Sequence, residues 1–83
     1  MKQILYFTAP WCQPCQVLGP IMDELSNQFP DRIKKVNIDY DPELPHRYNV
    51  KNIPTTIVFE NGEEVERKVG VQPRAYYLQV LNS

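Results

Sequence analysis

Apolar positions along this chain switch between a strand-like and a helix-like period, and the switches mark its elements. Gln3 to Phe7 is apolar and β-prone and is stopped near Pro10, which predicts a buried strand. From Pro14 the period lengthens. Leu18, Ile21, Leu25 and Phe29 recur at spacings of three and four until Pro30, the signature of a helix. Pro20 falls inside it and is expected to remove one backbone hydrogen bond and kink it. Val36 and Ile38 alternate with polar neighbours after Lys34-Lys35, which predicts a second strand. Asp41-Pro42 reads as a helix start, a capping side chain followed by proline at the first position. Pro45 and Asn49 keep that helix short. Thr55 to Phe59 is the clearest strand, Asn61-Gly62 favours a tight hairpin turn, and Val65 to Val69 returns as the antiparallel partner. Gly70 ends it, and Pro73 opens a last helix carrying Tyr77, Leu78 and Leu81, with one core and one exposed side chain expected for Tyr76-Tyr77.

The order β-α-β-α-β-β-α is that of an α/β chain: a parallel βαβ unit, then a hairpin and a closing helix, with helices on both sheet faces. No repeat, low-complexity stretch or linker interrupts it, so residues 1–83 are read as a single domain. A domain of that size buries only about 60% of the surface its unfolded chain exposes, so its core is modest. Nine Lys+Arg against ten Asp+Glu, interspersed, give a net charge of -1 and no case for a nucleic acid or an anionic membrane as partner. No apolar run approaches the roughly 20 residues of a membrane span. Lys2 is followed by too short an apolar stretch, and no small-residue cleavage site, for a signal peptide, so a cytoplasmic location is expected.

The chemistry lies in Trp11-Cys12-Gln13-Pro14-Cys15, between the first strand and the first helix. Two thiols two residues apart can interconvert between dithiol and disulfide. Cys12 at the helix start would meet unpaired N–H groups and the positive end of the dipole, both favouring thiolate; Cys15, one turn in, is more buried and placed to resolve a mixed disulfide. Lowering a thiol from about 8.5 to about 7 requires roughly 2 kcal/mol. The dipole supplies only about 0.3–1 kcal/mol, so direct hydrogen bonds must supply the rest. Thiolate content then rises about 15-fold, of which lower basicity takes back roughly 5-fold in nucleophilicity. The larger benefit is that Cys12 becomes a good leaving group when Cys15 attacks. Three blander readings compete. A structural bridge would close a tiny loop, worth about 2 kcal/mol against about 4 for one spanning most of the chain, and would not persist in a reducing cytosol. A zinc site would need two further ligands, and His46, the only imidazole, reads as solvated. Coincidental spacing is the third.

Across nearly its whole length the chain resembles the thioredoxins. The matching stretches are Phe7 to Cys15 with Pro20, Val36-Asn37-Ile38-Asp39, Ile53-Pro54-Thr55, Phe59-Glu60-Asn61-Gly62-Glu63 and Lys68-Val69-Gly70. The resemblance implies a thioredoxin fold with a four-stranded mixed sheet, no bound cofactor or metal, and a redox-active Cys12–Cys15 disulfide. It gives Cys12 the role of nucleophile and Cys15 that of resolving residue. It makes Pro54 a cis-proline facing the cysteines, with the backbone at Ile53 and Pro54 pairing with substrate and Trp11 and Gly70 lining the docking groove. Read locally, Pro54 is equally a trans residue opening a strand, Trp11 a cover for the core edge and Gly70 relief at a strand end.

The pattern is broken in three places. The chain begins at the strand leading to the cysteines, without the strand and helix that thioredoxins usually place before it, so in length it resembles a glutaredoxin. The Gly-Gly-x-x-Asp-like glutathione pattern is absent from Val69-Gly70-Val71-Gln72-Pro73. Gln13 stands where thioredoxins usually carry Gly, so the Gln13-Pro14 pair should shift the potential, about 30 mV corresponding to 1.4 kcal/mol. Tyr6 stands where a buried aspartate usually helps deprotonate the second cysteine, leaving Lys35 without its usual partner. A phenol near 10 is no base at neutral pH, so water, or the departing Cys12 sulfur, is expected to take over. The resemblance implies a monomeric thiol–disulfide oxidoreductase reducing protein disulfides, ribonucleotide reductase among the clients, with its dithiol restored by an NADPH-dependent thioredoxin reductase. The alternatives are a glutaredoxin-type protein recycled by glutathione and a binding subunit with dispensable cysteines.

Overall fold

The computed structural model describes residues 1–83. Its elements are β1 (Lys2–Thr8), α1 (Gln13–Gln28), β2 (Ile33–Asn37), α2 (Glu43–Arg47), β3 (Thr55–Glu60), β4 (Glu63–Val69) and α3 (Arg74–Asn82), in the expected order. The sheet runs β2-β1-β3-β4. β1 is parallel to β2, antiparallel to β3, and β3 is antiparallel to β4. β1 is thus central and buried on both faces, which explains its unbroken apolar run.

One face packs Ile4, Tyr6 and Val58 against Leu18, Met22 and Leu25 of α1 and Tyr77, Val80 and Leu81 of α3. The other packs Leu5, Phe7, Val36 and Ile57 against the α2 region through Leu44, Tyr48 and Val50. Burial on α1 follows Cys15, Leu18, Met22 and Leu25, so Met22 takes the central place expected of Ile21, which is only half-buried. In α3, Val80 likewise displaces Leu78, while Tyr77 is buried and Tyr76 half-buried.

α1 is continuous through the exposed Pro20, which leaves the Gln16 carbonyl without its intrahelical donor. β2 starts earlier than the alternation implied, and Ile38 lies just past its end with its N–H still donating to the Thr8 carbonyl at 3.0 Å. α2 starts at Glu43 with Pro42 in the cap position, one residue later than expected, and the Asp41 carboxylate still accepts the Leu44 N–H at 3.3 Å. Asn61 and Gly62 both take positive φ, 53° and 83°, the twist a two-residue hairpin requires. The exposed, highly charged β4 is an edge strand that resists pairing with other chains. A register shift opposite Val58 and Phe59 leaves Val65 unpaired and half in solvent.

Candidate active site

The chain leaves β1 at Thr8 and turns through Ala9 to Cys12, whose N–H donates to the Ala9 carbonyl at 3.2 Å. Cys12 then caps α1: its backbone is extended (φ -89°, ψ 113°) and its sulfur accepts the Cys15 N–H at 3.3 Å. Gln13 and Pro14 form the exposed first turn, and Pro14 has no N–H to compete for the same sulfur. Cys12 and Cys15 are joined as a disulfide, Cα atoms 5.2 Å apart. In this form both are buried, Cys12 at 6% and Cys15 at 3% relative exposure, so the contrast in access expected between them is small here. Ala9, Ile38 and Ile53 pack around them.

Ile53 and Pro54 arrive from the loop before β3 through a cis peptide bond. The Ile53 carbonyl oxygen lies 3.7 Å from the Cys12 sulfur, and Pro54 is buried. The Pro54 carbonyl accepts the Gly70 N–H at 2.8 Å, with Gly70 at φ +88°. That bond draws Gly70 to the same rim, in a conformation that disfavours any residue with a Cβ. Trp11 rides the turn, 66% exposed, its indole N–H donating to both carboxylate oxygens of Asp39 at 3.1 and 3.2 Å. Asp39 is held in turn by its own N–H bonded to the Asn37 side chain at 2.9 Å. Cys12, Cys15, Ile53, Pro54 and Gly70 therefore form one contiguous rim, with Trp11 pinned beside the cysteines.

Tyr6 and Lys35 are parallel-register partners beneath Cys15. Tyr6 is buried and its hydroxyl has no hydrogen-bond partner. Burial, and secondarily the Asp23 charge, push it up to about 12, so it is neutral at any physiological pH and cannot serve as a base. Lys35 is exposed. A cavity of about 390 Å³ behind Cys15 is lined by Tyr6, Asp23, Lys35, Gln16 and Asn37. A second cavity, about 640 Å³ beside Leu5, Leu44, Tyr48 and Phe59, has no cysteine in its wall.

Two site residues escaped the sequence reading. Asp39 was part of a matching stretch but carried no signal that it would meet Trp11 across 28 positions of chain. Asp23 did carry one, since Cys15, Gly19 and Asp23 follow at steps of four along one side of α1. No group of three or more His, Cys, Asp or Glu side chains is arranged to hold a metal ion. No helix is long and apolar enough to cross a membrane.

The thioredoxin family model matches residues 1–83. The chain is 43% identical over 81 residues to the thioredoxin of Rickettsia typhi, covering 95% of this chain and 77% of that one. It is 39% identical to thioredoxin 1 of a Nostoc species, covering 90% of this chain and 72% of the relative. Among solved structures it is similar to a single-residue mutant of the thioredoxin from Halobacterium salinarum, with TM-score 0.86, 32% identity and coverage of 98% and 72% of the two chains. The reduced Schistosoma mansoni thioredoxin pre-protein gives TM-score 0.84, 32% identity and coverage of 98% and 76%.

Proposed function

Since this chain belongs to the thioredoxin family and is a thiol–disulfide oxidoreductase that reduces protein disulfides, we propose that Cys12 is its attacking nucleophile and Cys15 its resolving residue. The Cys12 thiolate attacks one sulfur of a substrate disulfide; that S–S bond breaks, one substrate thiolate leaves, and a mixed disulfide forms on Cys12. The Cys15 thiolate then attacks the Cys12 sulfur, releasing the second substrate thiolate and closing the Cys12–Cys15 disulfide. The substrate gains two electrons, its two thiolates take up protons from solvent, and the cysteine pair is oxidised.

The observation carrying this assignment is the Cys15 N–H bond to the Cys12 sulfur at the first turn of α1. A hydrogen bond to a charged acceptor contributes about 1.5–3 kcal/mol and the dipole about 0.3–1 kcal/mol, together enough for the roughly 2 kcal/mol that brings a thiol near neutrality. Only the sulfur of Cys12 receives this help. Substrate docks along Trp11, Ile53, Pro54 and Gly70. The Ile53 N–H has no acceptor within the chain, which supports its pairing with an incoming peptide backbone. Gln13 and Pro14 tune the potential through the first turn of the helix, with Tyr6 and Lys35 acting from beneath.

The clients are disulfide-containing proteins, with a ribonucleotide reductase among them by family analogy. The donor is an NADPH-dependent thioredoxin reductase rather than glutathione, and the protein acts as a cytoplasmic, single-domain monomer without a bound cofactor. Cys12→Ser is expected to abolish insulin-disulfide reduction, whereas Cys15→Ser should accumulate mixed disulfides on Cys12. Insulin reduction surviving in Cys12→Ser would reverse the assignment, and biological activity surviving in that variant would favour the binding-subunit reading. Supplying oxidised protein with thioredoxin reductase and NADPH, or with glutathione, separates the two donors.

A further inference from the structure

The resolving step requires Cys15 to lose a proton, and Cys15 is almost completely buried. Its route outward is the cavity of about 390 Å³ in whose wall it stands, rimmed by the exposed Gln16, Pro20, Asp23 and Lys35. The titratable groups lining that space are Tyr6 from β1, Cys15 and Asp23 from α1 and Lys35 from β2. Tyr6 is neutral and its hydroxyl is sealed from water, so it neither accepts the proton nor carries it. Lys35 bears a positive charge and has no proton-accepting capacity in that form. Asp23 is the one carboxylate in the wall.

We propose that Asp23, two turns along α1 from Cys15, is the proton acceptor for the resolving thiol, reached through water in the cavity between them. Asp23 and Cys15 line the same cavity, eight residues apart on α1. None of the chain's three ion pairs consumes it, those being Arg47–Glu43, Arg67–Glu64 and Arg74–Glu24. Its negative charge also acts on Tyr6, another residue of the same cavity wall, whose raised pKa it supports after burial. The inference rests on Cys15 being the resolving residue. The Cys15 S–H proton passes by way of cavity water to an Asp23 carboxylate oxygen. The thiolate so formed attacks Cys12, the substrate sulfur leaves with the electron pair of the broken S–S bond, and Asp23, exposed on its outer side, returns the proton to solvent.

The test is single-turnover reaction of the reduced protein with an aromatic disulfide whose released thiolate is coloured. A first equivalent reports attack by Cys12, and a second reports resolution by Cys15. Asp23→Asn should leave the first phase unchanged and slow the second by about 10- to 100-fold, the usual scale for losing one acid–base group. Its second phase should then rise in proportion to hydroxide from about pH 6 to 8, while that of the parent protein stays nearly flat. Asp23→Glu should restore most of the rate, because a carboxylate again faces the cavity. A second phase in Asp23→Asn within two-fold of the parent, with the same pH profile, overturns the role of Asp23. Loss of the first phase in the unsubstituted protein would instead overturn the assignment of Cys12.

Discussion

Tyr6 and Thr56 face each other across β1 and β3, and each carries a buried hydroxyl with no partner. Such a group keeps its desolvation cost without the compensating bond, so deleting it relieves rather than removes an interaction. Tyr77 is the contrast: equally buried, it accepts the Gln72 N–H at 3.0 Å and thereby anchors the entry to α3. Tyr6→Phe and Thr56→Val are each expected to raise stability by about 1 kcal/mol in urea or thermal unfolding, whereas Tyr77→Phe should lower it by a similar amount. The double variant should depart from additivity because the two sites adjoin. Insulin reduction by Tyr6→Phe should stay close to that of the parent. A ten-fold loss would show that the hydroxyl takes part in turnover.

Between elements, the contact least legible in advance is made by Arg32. Its guanidinium donates to the Lys2 carbonyl at 2.6 Å and to the Leu81 carbonyl at 3.1 Å, tying the start of β1 to the end of α3. Arg32→Ala should therefore cost about 2 kcal/mol, the worth of one or two charge-assisted bonds after solvation, and loosen α3 first in amide exchange. Arg32→Lys should recover only part, since an ammonium cannot span both carbonyls as the planar fork does. In a sequence Arg32 is one more charged residue in a polar turn, and nothing local signals two carbonyls 30 and 49 positions away. The elements themselves were readable because their signals are local: the period of Leu18 and Leu25, the capping carboxylate of Asp41, the positive-φ pair Asn61-Gly62. The cysteine pair was readable for the same reason. Which of two adjacent apolar residues is central, Met22 or Ile21, Val80 or Leu78, is decided by the angle at which each helix crosses the sheet, and no period fixes that angle. Asp39 under Trp11 and Asp23 behind Cys15 belong to the same class, polar residues whose meaning is conferred by a neighbour brought in through the fold.

For the molecule as a whole, the buried phenol couples folding to alkaline pH. Folded, Tyr6 is pushed from 10.0 up to about 12, by burial first and the Asp23 charge second. Tyr76 is raised as well, by burial first and then by its hydrogen bond to the Glu66 carboxylate. Unfolded, each phenol titrates near 10, so above that pH the unfolded chain sheds protons that the native one retains. The stabilisation is complete below about pH 10 and is lost as pH climbs toward 12. For Tyr6, which is almost wholly enclosed, the loss is on the order of 2 kcal/mol over that interval. In acid the opposite linkage is weaker: Arg67 holds Glu64 below the ordinary carboxylate range, but the pair is too exposed to contribute much as that carboxyl protonates on descent. Urea unfolding of the oxidised protein at pH values from about 8 to 11 should thus show stability falling more steeply than in Tyr6→Phe, by up to about one proton's worth of slope. The chain's other ionisable groups are common to both proteins and cancel in the difference. Parallel curves for the two would mean that Tyr6 is not held neutral by its burial, and the ground for denying it a part in proton transfer beneath Cys15 would go with it.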